Sequence, residues 1–207
     1  MGGGNENFEK KDDLTQMETA RQRQKTGLNV KSMCAIALMT AVIAVSAWIT
    51  VPFTIPFTMQ IFGVAAALAL LGGRNGTIAI LVYLLLGMAG APVFSGFQGG
   101  LSVITKATGG YIVGFLFMGL LYWAMERGRA FCLWRASVRL LLGLIVCYAF
   151  GTAWFAVMFA TGKSVGAILS LCVFPYILPD LVKIALAVFV ADRVHRTGVL
   201  RTLSGER

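Results

Sequence analysis

Thr77-Ile78-Ala79-Ile80-Leu81-Val82-Tyr83-Leu84-Leu85-Leu86 carries no charge and no alternation of apolar with polar side chains. That missing alternation decides the fold. A strand of a membrane barrel must point apolar and polar residues to opposite faces in turn, and this stretch does not. In lipid the remaining way to pair every backbone N–H and C=O is the helix. Working outward, the same texture recurs along the chain. About 20 helical residues cross the roughly 30 Å hydrocarbon core of a bilayer, and the apolar runs predict spans near 32–50, 58–72, 76–91, 108–126, 138–160 and 176–192.

Composition agrees. Of the 207 residues 57% are hydrophobic and 13% charged, whereas a soluble domain carries about 25% charged residues. From Ser32 to Tyr122, Arg74 and Lys106 are the only Lys, Arg, Asp or Glu side chains. The breaks between runs are turn-like. Val51-Pro52-Phe53-Thr54-Ile55-Pro56 stops the first span, and Gly72-Gly73-Arg74-Asn75-Gly76 is rich in residues that accept positive φ. The segment from Ala160 to about Pro175 holds Lys163 and a further apolar piece, readable as a short helix near the interface.

Orientation follows from Lys and Arg, which concentrate on the cytoplasmic side. With six spans, fifteen of the eighteen basic residues share the side of the two termini, leaving Lys106 and Lys163 opposite and Lys183 in the last span. The expected fold is therefore an all-α membrane protein of six transmembrane helices with both termini cytoplasmic. Residues 1–31 form a flexible cytoplasmic tail, 32–192 the membrane domain, and 193–207 a basic cytoplasmic tail. The net charge of +9 does not indicate nucleic-acid binding, because the bases lie at chain ends and loops instead of along one soluble face. Cys34, Cys132, Cys147 and Cys172 lack CxxC spacing and His195 is the one histidine, so no ordinary metal site is expected. No GxxxxGK[ST] occurs, so the chain does not itself hydrolyse ATP.

Asp180 and Lys183 carry the chemistry. They lie in Pro175-Tyr176-Ile177-Leu178-Pro179-Asp180-Leu181-Val182-Lys183, followed by apolar residues up to Ala191. A charge at membrane depth costs at least about 2.5 kcal/mol and marks a functional site by default. Positions i and i+3 share a helix face. One reading is a structural ion pair; the other is a pair of opposite charges at the external mouth of a pocket, the Asp accepting N–H bonds and the Lys binding an anion. Prolines there start or kink the helix and release backbone groups. Trp48, Phe53, Phe57, Phe94, Phe97, Tyr111 and Tyr176 fall near the same end, as an interfacial belt with core packing or as the lid and wall of a pocket. Pro92 to Gly100 and Thr108-Gly109-Gly110-Tyr111 are too glycine-rich for helix and suit a loop that closes over a ligand, while Gly110 and Gly114 form a GxxxG that favours close helix contact. Ala37 and Ala41 make a small-xxx-small face on the first span.

Ile55-Pro56-Phe57-Thr58-Met59-Gln60, Tyr83 to Pro92, Phe94 to Tyr111 with its TGGY, and the Pro/Asp/Lys segment together resemble the BioY family, the biotin-specific S components of energy-coupling factor (ECF) transporters. The likeness runs over about residues 35 to 192. It implies six helices, an external biotin pocket and residence in the cell membrane of a prokaryote. It assigns Asp180 and Lys183 to the ligand, places Gln98 where some members have an amide, and matches Ala37 and Ala41 to the face that docks on a coupling transmembrane subunit. The partners it implies are that subunit and two ATPase subunits. In one place the chain departs from the family, having Lys106-Ala107 where Gly-Pro usually precedes TGGY. The expected biotin site is Asp180, Lys183, Gln98, Phe94, Tyr111 and Trp48, with Asp180 on the ureido ring and Lys183 on the carboxylate. Uptake rather than catalysis is expected, since no nucleophile–base pair accompanies the deep charges. The competing readings are an S component for a different vitamin and a membrane-embedded enzyme using Asp180 as a proton carrier.

Overall fold

The computed structural model describes residues 30–51, 57–126, 131–159, the single positions 166, 168 and 170, and 173–197. The expected tails, apart from Val30, Lys31 and the stretch up to Thr197, lie outside the described residues, as do the proline break at 52–56 and most of 160–172. Gly166, Ile168 and Ser170 are helical.

The first helix, α1, runs Val30–Trp48. Its 19 residues reach about 28 Å at 1.5 Å each. Past it, β1 (Thr50–Val51) pairs antiparallel with β2 (Phe57–Thr58) in a two-residue ladder. This small sheet is an addition to the all-helical expectation.

A single helical element, α2 (Gln60–Met88), replaces two expected spans, but Gly72 inside it has φ 77° and ψ 172°. Only glycine adopts that backbone without strain, and the chain reverses there. Gln60 Nε2 donates to Tyr83 Oη at 2.9 Å, although a continuous helix would hold residues so spaced about 35 Å apart. A Cβ on Gly76 would lie 2.8 Å from the Leu68 Cα. The segments 60–71 and 73–88 are thus an antiparallel pair. The expected five-residue turn contracts to one residue, with Arg74, Asn75 and Gly76 already helical.

Residues Ser95–Phe97 make a 3-10 turn, α3 is Leu101–Ile104 and α4 is Gly109–Met125. Gly109 and Gly110 are thus helical, in keeping with the expected span 108–126 and not with the loop that their glycine content suggests. Their missing side chains serve packing: a Cβ on Gly109 would sit 1.6 Å from the Ile104 carbonyl oxygen, and one on Gly110 2.3 Å from the Trp154 Cβ. The last two helices are α5 (Leu133–Phe159) and α6 (Phe174–Arg196). α6 starts with Pro175 in its first turn and continues through Pro179 and past residue 192, so His195 belongs to a helix and not to the tail.

The α2 hairpin is the centre of the bundle, packed by α1, α4 and α6, with α5 against α4. Val64 through Ala69 are buried at every position. Six consecutive buried residues mean neighbours on all sides, which is why this segment is mostly alanine. Within lipid, helices associate by close packing, and small residues allow it. Four helices among the described residues, α1, α2, α5 and α6, are long and apolar enough to cross a membrane, and α4 is a shorter apolar helix. The protein is a multi-pass helical membrane protein.

Candidate ligand-binding site

At the end of the bundle opposite Gly72, a cavity of about 440 Å³ lies between the β1–β2 hairpin, the 94–108 connection and helices α4, α5 and α6. That volume is within the roughly 300–1,000 Å³ range of small-molecule pockets.

Its inner end is charged. Lys183 Nζ lies 2.7 Å from Asp180 Oδ1, and the two residues are 5% and 2% exposed. Their i, i+3 spacing on α6 puts both on one face. Lys183 also donates to the Thr58 carbonyl at 2.7 Å, and its charge lies 3.6 Å from the centre of the Phe57 ring. An ammonium has three donors; two are committed here and the charge is held over an aromatic face. The second Asp180 oxygen, Oδ2, accepts from the Tyr148 hydroxyl of α5. A carboxylate has about four lone-pair sites, so Asp180 keeps acceptor capacity for a ligand. Among the described residues no buried side-chain N or O atom is without a partner. The two charges therefore lie side by side as one donor–acceptor edge of the cavity.

The walls are apolar and aromatic. Phe57 stacks on Tyr176, with centroids 6.5 Å apart. Phe94 is fully buried, edge-on to Tyr83, in space that Gly87 leaves open: a Cβ on Gly87 would lie 2.1 Å from the Phe94 Cζ. Tyr111 shares a hydrogen bond of 3.1 Å with Thr152 and lies against Gly151. Cys147 lines the cavity beside Tyr148 and donates to the Tyr111 carbonyl. Gln60 donates to Tyr83, whose hydroxyl in turn donates to the Val93 carbonyl at 3.2 Å, tying the hairpin to the loop.

Five of the six expected ligand residues, Asp180, Lys183, Gln98, Phe94 and Tyr111, line this one cavity. Trp48 does not. It stacks on Phe97 at 4.9 Å and donates to the Pro92 carbonyl at 2.9 Å, anchoring the loop from outside. Gln98 is exposed and accepts from Lys106 Nζ at 2.8 Å. Ala37 and Ala41 lie on the exposed face of α1, away from the cavity. Tyr148 and Gln60 were missed as site residues. The available signal was a hydroxyl and an amide within apolar helices, groups that need a partner when buried. Among the described residues no cluster of His, Cys, Asp and Glu has the makings of a metal site.

The family model described as "BioY family" matches residues 17–199. A protein of Pyrococcus horikoshii named "Probable biotin transporter BioY" is 37% identical over 81% of this chain and 98% of its own. The "Biotin transporter BioY" of Thermotoga maritima is 35% identical over 83% of this chain and 100% of its own. A crystal structure of the S-component for biotin from an ECF-type ABC transporter superposes with a TM-score of 0.70 at 26% identity, covering 81% of this chain and 92% of that one. With the match spanning nearly all of the helical bundle and its cavity, the chain belongs to the BioY family.

Proposed function

We propose that this protein binds biotin from outside the cell and serves as the substrate-specific subunit of an ECF-type transporter, and is not an enzyme. The observation that carries this reading is the Asp180–Lys183–Tyr148 cluster at the inner end of a largely apolar cavity. The ureido ring of biotin presents an N–H donor beside its carbonyl acceptor on one edge. Asp180 accepts the former and Lys183 donates to the latter, and charge-assisted hydrogen bonds in a dry pocket are strong. Ile61, Ile112 and Phe115 supply apolar wall for the thiophane ring and aliphatic chain. The names of the relatives in Pyrococcus and Thermotoga support the same ligand.

In this reading the segments 60–71 and 73–88 cross the membrane separately, giving six spans with α1, α4, α5 and α6. Both termini are cytoplasmic, because fifteen of eighteen basic residues then share that side. The cavity opens outward from the cell membrane of a prokaryote. Energy comes from a coupling transmembrane subunit and two ATPase subunits. The exposed Ala37/Ala41 face of α1 docks on the coupling subunit; replacing both alanines with Trp is expected to abolish co-purification of the complex and to leave biotin binding intact.

The test is equilibrium binding of radiolabelled biotin to the purified protein. Saturable binding at one site per chain, not displaced by excess of unrelated vitamins, is expected. Saturable binding of another vitamin under conditions where biotin does not bind would overturn the assignment.

A further inference from the structure

We infer that Lys106 holds the ligand's carboxylate at the cavity mouth, positioned by Gln98, and that Lys183 does not read the carboxylate. The inference rests on the biotin reading and deepens it. Among the described residues two cations line the cavity, Lys183 and Lys106. Lys183 is committed to Asp180, the Thr58 carbonyl and the Phe57 face. To reach a carboxylate at the far end of the ligand it would have to leave those partners and strand a buried Asp180. Lys106 is placed differently. Its ammonium donates at 2.8 Å to the neutral Gln98 Oε1, and it belongs to neither the Lys183–Asp180 nor the Arg196–Asp192 ion pair. A cation lining a cavity with a neutral partner keeps its attraction for an anion.

The spacing also fits. Trp154 of α5 donates to the Lys106 carbonyl at 3.3 Å, and Tyr148 of the same helix donates to Asp180. Six residues of helix separate these two contacts along the axis by about 9 Å. A ligand with its ring against Asp180 and its chain toward the mouth brings the carboxylate to the level of Lys106. The backbone there is fixed: the Lys106 N–H donates to the Val103 carbonyl and the Gly109 N–H to the Lys106 carbonyl. Gln98, on the same connection, accepts from the ammonium. The family resemblance has Gly-Pro at 106–107, so this cation is a feature of the present chain.

The experiment compares biotin with biotinamide, whose carboxylate is a neutral amide, on the purified full chain. Lys106 is exposed, so its contact is partly screened, and Lys106→Met is expected to weaken biotin about fivefold while leaving biotinamide unchanged. Lys106→Arg should retain most of the preference for biotin. Lys183→Met should weaken both ligands alike. For the unmodified protein, raising the salt concentration should shrink the preference for biotin over biotinamide, a readout that needs no variant. The inference is overturned if Lys106→Met keeps the wild-type ratio of the two affinities, or if Lys183→Met abolishes that ratio instead. If the unmodified protein binds neither compound saturably, the biotin reading itself fails, and this inference with it.

Discussion

At the Gly72 end of the bundle, Glu126 accepts from the Gly73 N–H, and His195 meets the Ala69 carbonyl at 3.0 Å while its ring stacks on Phe131 with centroids 4.2 Å apart. At the opposite end, Asp180, Lys183 and Tyr148 also satisfy one another, but they do so on the wall of an open cavity. In the first case polar side chains reach backbone groups exposed where a helix reverses or ends, and the contact fastens one helix to the next. In the second the charges are on the interior of a helix; apart from the Thr58 carbonyl that Lys183 meets, they face each other and Tyr148, and an apolar pair would pack more cheaply. The contacts at the Gly72 end fasten the fold, and the cavity end keeps a costly arrangement that the proposed function explains as ligand binding. Substitutions at the cavity end should therefore change binding together with stability, and those at the Gly72 end stability alone.

The largest effect is expected from Lys183→Met. It strands Asp180 as a buried unpaired charge, and breaking such a pair costs about 3–5 kcal/mol. Thermal unfolding of the ligand-free protein in detergent should show a large fall in midpoint. Converting both residues, Asp180→Leu with Lys183→Met, removes the unpaired charge and should recover most of that stability while biotin binding stays lost. A stable single variant would mean that the pair is not desolvated, and the contrast between the ends would dissolve.

Gly110→Val tests the helix contact behind the cavity. Its added side chain would collide with Trp154, and overpacking of this kind costs about 1–3 kcal/mol. Because α4 and α5 together carry Tyr111, Cys147 and Tyr148, displacing them should lower both stability and biotin affinity. Affinity that stays constant while stability falls would show that the cavity tolerates a shift of its own wall.

The smallest effect belongs to Glu126→Gln at the other end. The amide still accepts from Gly73 but without the charge, a loss of about 1 kcal/mol. A modest drop in thermal midpoint with unchanged biotin affinity is expected. Altered affinity would couple the two ends and blur the distinction drawn between them.

Helix positions were legible because lipid forces long uncharged runs, and Val30–Trp48, Leu133–Phe159 and Phe174–Arg196 overlap their expected spans closely. The depth of Asp180 and Lys183 was legible for the same reason, since an isolated charge stands out against an apolar background. The conformations of glycines were not. Gly72 turns the chain, whereas Gly109 and Gly110 permit close packing within a helix, and composition alone does not distinguish a glycine that frees the backbone from one that admits a neighbour. Partners across the sequence were also hidden. Tyr148 reads as a core aromatic until α6 brings Asp180 to it, and Trp48 reads as a pocket wall until its bond to Pro92 places it outside. The two-residue ladder that sets the Thr58 carbonyl before Lys183 is too short to leave a pattern.

The central claim is that the Asp180 carboxylate is what the ligand's ring binds. The most direct measurement is calorimetric titration of biotin into the purified wild type and Asp180→Asn, with thermal midpoints recorded for both proteins without ligand. The account predicts one-to-one saturation of the wild type and a loss of about 10- to 100-fold in affinity for the variant, titrated well below the variant's ligand-free midpoint, where it is folded. Equal affinity for biotin in the two proteins would contradict it.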